Sequence, residues 1–365
     1  MNRAWPAGRA GAMGGVMRHR LTFRRFRLPL RLPVRTAHGV WAERDGVMVR
    51  LEDSDGRMGF GEAAVIPWFG TETAEAAEAA CRKLGEQVDE ARLASVPTRL
   101  GCLRNALAAA RGEIAAGAEA ALGAERGAVP ALTRRATLGV AALLPAGRGA
   151  LAQIGPKAEI GFRVFKWKVG VGDIADELAL LDDVCAALPC GAKLRLDANG
   201  AWDRRKAERW LERCAERPVE LVEQPVAAEA RGSADLLLGL AGDWPTPIAL
   251  DESLVGEGDI EWWIGAGWPG VFVVKPSLLA DVAGAMARLE KAKAAVVFSS
   301  ALETAVGARA ALRVAFAWTG EPRALGFGVW PLFADTRFDG PHAAPFLRAE
   351  DVERIDAEAV WNALS

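Results

Sequence analysis

Short apolar runs that each end in a charged residue recur along the second half of the chain. They read VFKWKVG, LRLDANG, LVEQP, ALDES and VVKPS, between residues 164 and 277. The charged residues in these runs are Lys166, Lys168, Asp197, Glu223, Asp251 and Lys275. From Lys168 onward they are separated by 29, 26, 28 and 24 residues, about the length of a strand, a crossover helix and two loops. This pattern predicts consecutive parallel strands.

The same alternation of strand and helix extends from about residue 130 almost to the end of the chain. Eight strand segments are predicted, at 136–144, 164–170, 193–199, 219–225, 247–253, 270–277, 294–300 and 323–329. Each except the last precedes a helical stretch. The strand segments are apolar almost throughout, as in parallel strands that are covered on both faces. We therefore predict a (β/α)8-type barrel over residues 129–335.

The first third of the chain has a different pattern. Residues 21–62 alternate apolar and polar positions, with a turn at Asp55-Gly56, and predict strands. From Thr73 to about Ala124 the spacing is helical, with Thr73 as the predicted cap. These features predict an α+β domain over residues 21–128.

The two ends of the chain are predicted to lie outside these domains. Residues 1–20 are basic and rich in Gly and Ala, and we expect a disordered extension. An Arg-rich targeting peptide, or a true start at Met13 or Met17, are the alternatives. Residues 336–365 form an amphipathic segment that is expected to return to the N-terminal domain.

Composition narrows the classes of partner. The net charge is −2 and the pI about 6.1, so no global field favours nucleic acid or an anionic membrane. No apolar run is long enough to span a membrane. Five cysteines without a CxxC pair indicate reduced thiols, and hence a cytoplasmic protein. A small-molecule substrate is the expected partner, and assembly into a homo-oligomer stays open.

Three of the strand-end residues are carboxylates, and their side chains are expected to meet at one mouth of the barrel. They are Asp197, Glu223 and Asp251. Hard oxygen ligands without nitrogen or sulfur favour Mg²⁺, with Mn²⁺ as a second option. The alternative is that each acid caps the helix that follows it. Three acids on consecutive strands favour the metal site.

The strand-end lysines suggest proton chemistry. Lys166 and Lys168 are two residues apart and so share one face of their strand. Inside a barrel they need acidic partners, which the carboxylates supply. The alternative is an edge strand whose lysines prevent pairing with another chain. The apolar residues beside these lysines conflict with an edge position. Lys275 lies on strand six, across the barrel. A metal between two cationic groups suits removal of a proton α to a carboxylate.

K-x-K, LRLDANG, VEQP, LDES and VKPS, in this order and spacing, resemble the enolase superfamily, in its muconate-lactonizing-enzyme subgroup. The resemblance extends over nearly the whole chain from about residue 20. It implies that the three carboxylates bind Mg²⁺. It also implies that Lys168 is the acid/base, that Lys166 supports it, and that Lys275 acts on the opposite face of the substrate.

The segment after strand seven suggests a family within this subgroup. Its Ser-Ser-x-x-Glu-x-x-x-Gly pattern resembles the o-succinylbenzoate synthases of menaquinone biosynthesis. After strand eight, GFGVWPLF carries no acid until Asp335, whereas a dipeptide epimerase would carry Asp-x-Asp there. The resemblance implies syn elimination of water from 2-succinyl-6-hydroxy-2,4-cyclohexadiene-1-carboxylate, a carbon-oxygen lyase reaction. An N-acylamino acid racemase, a muconate-type cycloisomerase and a non-catalytic binding barrel remain alternatives.

Residues beside this charged series are candidates for substrate contacts. They are Arg195, Asn199, Ser299, Ser300 and Trp68. Loops 33–42, with Arg35 and His38, and 62–71, with Trp68 and Phe69, are candidate lids. Other roles are also open. Ser300 could cap the next helix, Trp68 and Phe69 could pack between domains, and Asn199 and Gln224 could orient the metal ligands.

Overall fold

The computed structural model describes residues 18–36, 39–125, 135–342 and 344–364. Residues 1–17, most of the predicted extension, and His38 lie outside this part. The N-terminal domain contains an antiparallel sheet in the order β3-β2-β1-β4. Its strands are β1 (Arg18–Thr36), β2 (Gly39–Glu52), β3 (Met58–Ala63) and β4 (Gln87–Asp89).

Three helices pack on this sheet, namely α1 (Ala74–Leu84), α2 (Glu90–Ala94) and α3 (Gly101–Glu125). Thr73 caps α1, as predicted, by accepting a hydrogen bond from the backbone of Ala76. The predicted helical stretch is interrupted between α1 and α3, because Gly85 takes a left-handed φ of 74° and ends α1.

Strands and helices alternate through the second part of the chain, as the sequence pattern predicts. The strands are β5 (Thr137–Gly139), β6 (Ala142–Leu144), β7 (Val164–Lys168), β8 (Lys193–Asp197), β9 (Val219–Glu223), β10 (Ile248–Leu250), β11 (Val271–Val274) and β12 (Ala295–Phe298). The helices are α4 (Gly149–Glu159), α5 (Ile174–Ala187), α6 (Arg204–Cys214), α7 (Ser233–Asp243), α8 (Glu257–Gly265), α9 (Val282–Lys291) and α10 (Ala305–Ala317). Strands β6 to β12 pair in sequence order as one parallel sheet.

Two isolated bridges close this sheet into a barrel. Leu325 pairs with Val140, and Gly326 pairs with Ser299, so the eighth predicted strand is reduced to these contacts. The first predicted strand is divided, because β5 leaves the barrel to pair with β13 (Phe346–Arg348). The (β/α)8-type fold with an N-terminal α+β capping domain is confirmed.

The barrel interior below the mouth is packed with small apolar side chains. These are Leu221, Ala249, Val271, Val273 and Val297, and all are buried. On the outer face Trp167 packs edge-on against Trp210 of α6, with ring centroids 6.3 Å apart. An apolar floor of this kind leaves the strand ends as the place where charges converge. No helix of the described residues is long and apolar enough to cross a membrane.

The C-terminal segment lies against the capping domain. After β13 it forms α11 (Ala349–Glu353) and α12 (Ala357–Ala363). The Trp361 ring packs 6.1 Å from Phe60 of β3, and the guanidinium of Arg24 lies 4.6 Å from its centroid. Arg24 also donates a hydrogen bond to the Trp361 carbonyl at 2.5 Å.

The close approach of β3 and α3 leads to a stability prediction. A Cβ at Gly61 would collide with the backbone carbonyl of Ala106, whereas a Cβ at Gly112, exposed on α3, would meet nothing within 4 Å. We expect Gly61→Ala to destabilise the protein by about 3 kcal/mol or more, since backbone cannot yield as a side chain can. Gly112→Ala should stabilise it by about 0.5–1 kcal/mol. Denaturant unfolding measures both, and equal stability of the two variants would contradict the packing described.

Candidate active site

Charged side chains from adjacent barrel strands meet at the mouth. Strand β7 alternates, with Phe165 and Trp167 fully buried toward the helices and the two lysines on the other face. The Lys166 ammonium lies 3.0 Å from a carboxylate oxygen of Asp197 and 2.6 Å from one of Glu223. Lys168, at the end of β7, is opposite Asp197 in the strand register. The predicted convergence of strands two to four is therefore present.

None of the three strand-end acids caps the helix that follows it. The cap of α6 is Asp203, and α7 and α8 begin after Gly232 and Gly256. The helix-capping alternative is thus wrong for these acids, and they remain available for chemistry at the mouth.

Burial and mutual charge perturb the ionisation of these groups. Burial is the largest effect on Glu223 and raises its pKa, with Lys166 opposing and Asp197 adding to the rise. Burial also acts to lower the pKa of Lys166, but Asp197 and Glu223 together outweigh it and raise that pKa. Lys166 is therefore held as a cation between two acids.

Lys275 occupies the other side of the mouth. Its ammonium forms an ion pair with Asp251 and lies 4.5 Å from the ring centroid of Phe69 in the capping domain. Burial lowers the pKa of Lys275 to about 7, while the charge of Glu223 opposes and that of Lys166 adds to this effect. The site thus has lysines on two sides, with Lys166 paired to Asp197 and Glu223 and Lys275 paired to Asp251. This agrees with their predicted positions on strands two and six.

A fourth acid at the mouth, Glu252, was not predicted from the sequence, although it directly follows Asp251. Its carboxylate accepts a hydrogen bond from the Asn199 side chain at 3.0 Å. Burial raises the pKa of Glu252 to about 7, with Asp197 adding to the rise. The other oxygen of Glu252 and the amide oxygen of Asn199 are buried without a hydrogen-bond partner among the described residues. Both atoms are open acceptors.

Gln224 orients the backbone at the end of the next strand. Its side-chain oxygen accepts hydrogen bonds from the amides of Asp251 at 2.9 Å and Ser253 at 3.2 Å. Its amide group donates to the Val226 carbonyl and to the Ser253 hydroxyl, both at 2.9 Å. Gln224 takes a left-handed φ of 36°, so its backbone is strained where it supports the site.

The donors at the mouth fit a hard divalent cation in their chemistry. Within the described ranges no three Asp, Glu, His or Cys side chains are already grouped to hold a metal ion. Lysines lie against three of the carboxylates instead. The two open acceptors at Glu252 and Asn199, together with the surplus of acids over lysines, are what an oxygen-preferring cation would satisfy. The residues therefore fit Mg²⁺.

Ser299 and Ser300 are buried at the end of β12. The Ser299 hydroxyl donates to the carbonyl of Gly326 at 3.4 Å. The Ser300 hydroxyl donates to Glu303 at 2.8 Å and accepts from the Leu302 amide at 2.9 Å, so it stabilises the loop. The next helix is capped by Thr304 rather than by Ser300.

Arg195 is buried on β8, two residues before Asp197. It donates to Glu220 at 2.7 Å and to the carbonyl of Ala324 at 2.7 Å. Burial acts to raise the pKa of Glu220, but Arg195 and Arg323 lower it below its ordinary value. Glu220 precedes Glu223, and Ala324 precedes Gly326, along their segments. Arg195 is therefore held below the mouth. Its other terminal nitrogen is buried without a hydrogen-bond partner among the described residues, and its contact with the substrate stays a prediction.

The predicted lid is partly described. Trp68 is 37% exposed, and its ring lies edge-on to Trp41 at 5.6 Å and to Phe69 at 5.9 Å. This aromatic row leads from the β1–β2 hairpin to Lys275 through Phe69. The side chain of Arg35 and the whole of His38 lie outside the described part.

Two family models match the chain. Residues 150–345 match the family described as enolase C-terminal domain-like, and residues 17–115 match the MenC N-terminal domain. The matches correspond to the barrel and the capping domain.

Two curated relatives and one solved structure are similar to this chain over most of its length. The o-succinylbenzoate synthase of Thermosynechococcus vestitus is 39% identical over 85% of this chain and 92% of its own. That of Edwardsiella ictaluri is 30% identical over 81% and 86%. A crystal structure of o-succinylbenzoate synthase from Thermosynechococcus elongatus BP-1, complexed with Mg in the active site, superposes with a TM-score of 0.75 and 35% identity, covering 94% of this chain and 99% of that one. The chain therefore belongs to the enolase superfamily and, within it, to the family of the o-succinylbenzoate synthases.

Proposed function

We propose that this protein is a Mg²⁺-dependent o-succinylbenzoate synthase, a lyase that removes water from 2-succinyl-6-hydroxy-2,4-cyclohexadiene-1-carboxylate. The observation that carries the proposal is the pair of lysine–carboxylate contacts at the mouth. Lys166 lies between Asp197 and Glu223, and Lys275 lies on Asp251. The relatives named above support the choice of substrate.

In the proposed reaction Lys168 removes the proton from the ring carbon α to the carboxylate. The hydroxyl then leaves from the same face and takes the proton back from Lys168, so that water departs and the ring becomes aromatic. Lys166 lies two residues before Lys168 on the same strand face and keeps a positive charge beside it. Lys275 supplies positive charge on the opposite face as negative charge develops on the carboxylate.

Asp197, Glu223 and Asp251 are the proposed ligands of Mg²⁺, with Mn²⁺ as a possible substitute. When bound, such an ion would supply positive charge to the substrate carboxylate, which becomes an enediolate on proton removal. Asn199 and Gln224 orient the ligand-bearing strand ends, through Glu252 and the backbone of residues 251–253. The apolar lid around Trp68 and Phe69 excludes water from the enediolate.

The segment after the eighth strand favours a substrate without an ammonium group. Its first acid, Asp335, pairs with Arg337 at 2.6 Å and so is already neutralised. Ser299 and Ser300 are proposed to contact the succinyl side of the substrate. The proposal includes a cytoplasmic location, which the five cysteines support because none forms a disulfide.

Replacing Lys168 tests the proposed acid/base. Lys168→Ala should lower kcat for dehydration by about 10³-fold or more, because general acid–base catalysis at this carbon is lost. The variant should still fold and bind Mg²⁺, as checked by circular dichroism and calorimetry. Dehydration is followed by the absorbance change on formation of the aromatic product.

A polarimetric assay of racemisation, run beside the dehydration assay, separates the alternative activities. N-succinyl amino acids should be racemised more slowly than the cyclohexadiene is dehydrated. Full dehydration by Lys168→Ala would refute the role of that lysine. Tight Mg²⁺ binding with no turnover of either substrate would favour the non-catalytic barrel.

Two acids of the same strand, β9, provide a matched test of the metal site. Mg²⁺ at 100 times its Kd should stabilise the native protein by about 2.7 kcal/mol, since only the folded state binds it. Glu223→Gln should lose most of this stabilisation in thermal unfolding. Glu220→Gln removes a carboxylate that pairs with Arg195 below the mouth, and it should keep the Mg²⁺ response. If Mg²⁺ stabilises both variants as much as it stabilises the unaltered protein, Glu223 is excluded as a ligand.

A further inference from the structure

The capping domain holds the turn that follows Lys275. Residues 276–278 form a short 3-10 turn directly after this lysine, with the Leu278 amide donating to the Lys275 carbonyl at 3.0 Å. Leu278 is buried in the core of the capping domain, although it belongs to the barrel. The placement of Lys275 is therefore linked to the capping domain by apolar packing.

Asn105 of helix α3 adds a polar contact to the same turn. Its side-chain amide donates to the carbonyls of Pro276 and Leu279, both at 2.8 Å. The two carbonyls belong to the first residue of the turn and to the residue directly after it, and Asn105 is 8% exposed. Both N–H groups of this buried amide are used. The contact therefore fixes the orientation of the turn as well as its distance from α3.

The turn has few other ways to satisfy these carbonyls. The Pro276 carbonyl also accepts from the Leu279 amide at 3.1 Å, a bond within the turn. Asn105 supplies the hydrogen-bonded link between the turn and the 25-residue helix α3 of the other domain. A carboxylate in its place would face two carbonyl oxygens with no proton to donate, so the turn would move away.

We propose that Asn105 is a positioning residue that holds Lys275 on its face of the substrate. The inference rests on the proposed function, in which Lys275 stabilises charge as the α-proton leaves. A shift of about 1 Å at such a group can reduce the rate by about 10²-fold. Asn105 acts through the main chain of residues 275–279 and does not itself contact the reacting atoms.

The experiment compares Asn105→Asp with a matched control on the same helix. Asn105→Asp should lower kcat for dehydration by about 10- to 100-fold, with KM changed by less than about 3-fold, because transition-state stabilisation is lost rather than uniform binding. The primary isotope effect on kcat, with substrate deuterated at the α carbon, should rise as proton removal becomes more rate-limiting. Mg²⁺ binding, measured by calorimetry, should be retained.

The control is Ile114→Ala, which removes a buried side chain from the core of the capping domain on α3. It should reduce stability, yet leave kcat and the isotope effect at native values. If both variants reduce kcat in proportion to their lost stability, with no change in the isotope effect, Asn105 is only structural and the proposal is overturned.

A milder substitution covers the case in which Asn105→Asp does not fold. Asn105→Ser is too short to reach both carbonyls but adds no charge, and the same fall in kcat and rise in isotope effect are expected. Native kinetics in a folded Asn105→Ser protein would also overturn the proposal. If the unaltered protein does not dehydrate the cyclohexadiene, the proposed function fails, whereas normal activity with unaffected Asn105 variants defeats only this inference.

Discussion

The structure depends on placing several charged side chains together in a partly buried barrel mouth. Removing each ion from water costs several kcal/mol, and a partner must offset that cost. Lys166 between Asp197 and Glu223, and Lys275 on Asp251, meet this requirement. The mouth still has more acids than these two lysines neutralise, and burial first, then the neighbouring charges of Asp197 and Glu223, raise the pKa of Glu252. A divalent cation is the natural counter-charge for such a site.

The capping domain is a structural part of this site rather than a detachable cover. Leu278 and Ala301, from loops after two barrel strands, are buried in the core of the capping domain. Glu62 of β3 accepts hydrogen bonds from the Thr304 amide at 3.0 Å and the Gly307 amide at 3.1 Å, at the start of α10. Arg44 of β2 donates to the Leu302 carbonyl at 2.9 Å. The loops that carry Lys275 and the two serines thus take their shape from both domains.

Much of the fold could be predicted because its signals are local. Apolar strands at a βαβ spacing indicate a parallel barrel, and alternation within β7 shows which side chains share a face. How deep a side chain lies in the barrel is harder to predict from the sequence. Arg195 and Asp197 share a face but differ by two residues, or about 7 Å. The ladder between β8 and β9 is irregular after Leu194, and Glu220 falls at that irregularity as the partner of Arg195. Periodicity gives no sign of this.

The sequence by itself determined that the lysines and acids which end the barrel strands reach the mouth, since a residue at a strand end must lie there whatever the loops do. Only the tertiary structure decided their partners. It pairs Lys166 with two acids, places Glu252 on Asn199, and sets Phe69 beside Lys275. It also brings Asn105 to a turn more than 170 residues away. Such contacts depend on how two domains pack, and this packing is set by side-chain volume and hydrogen bonding between distant segments rather than by local pattern.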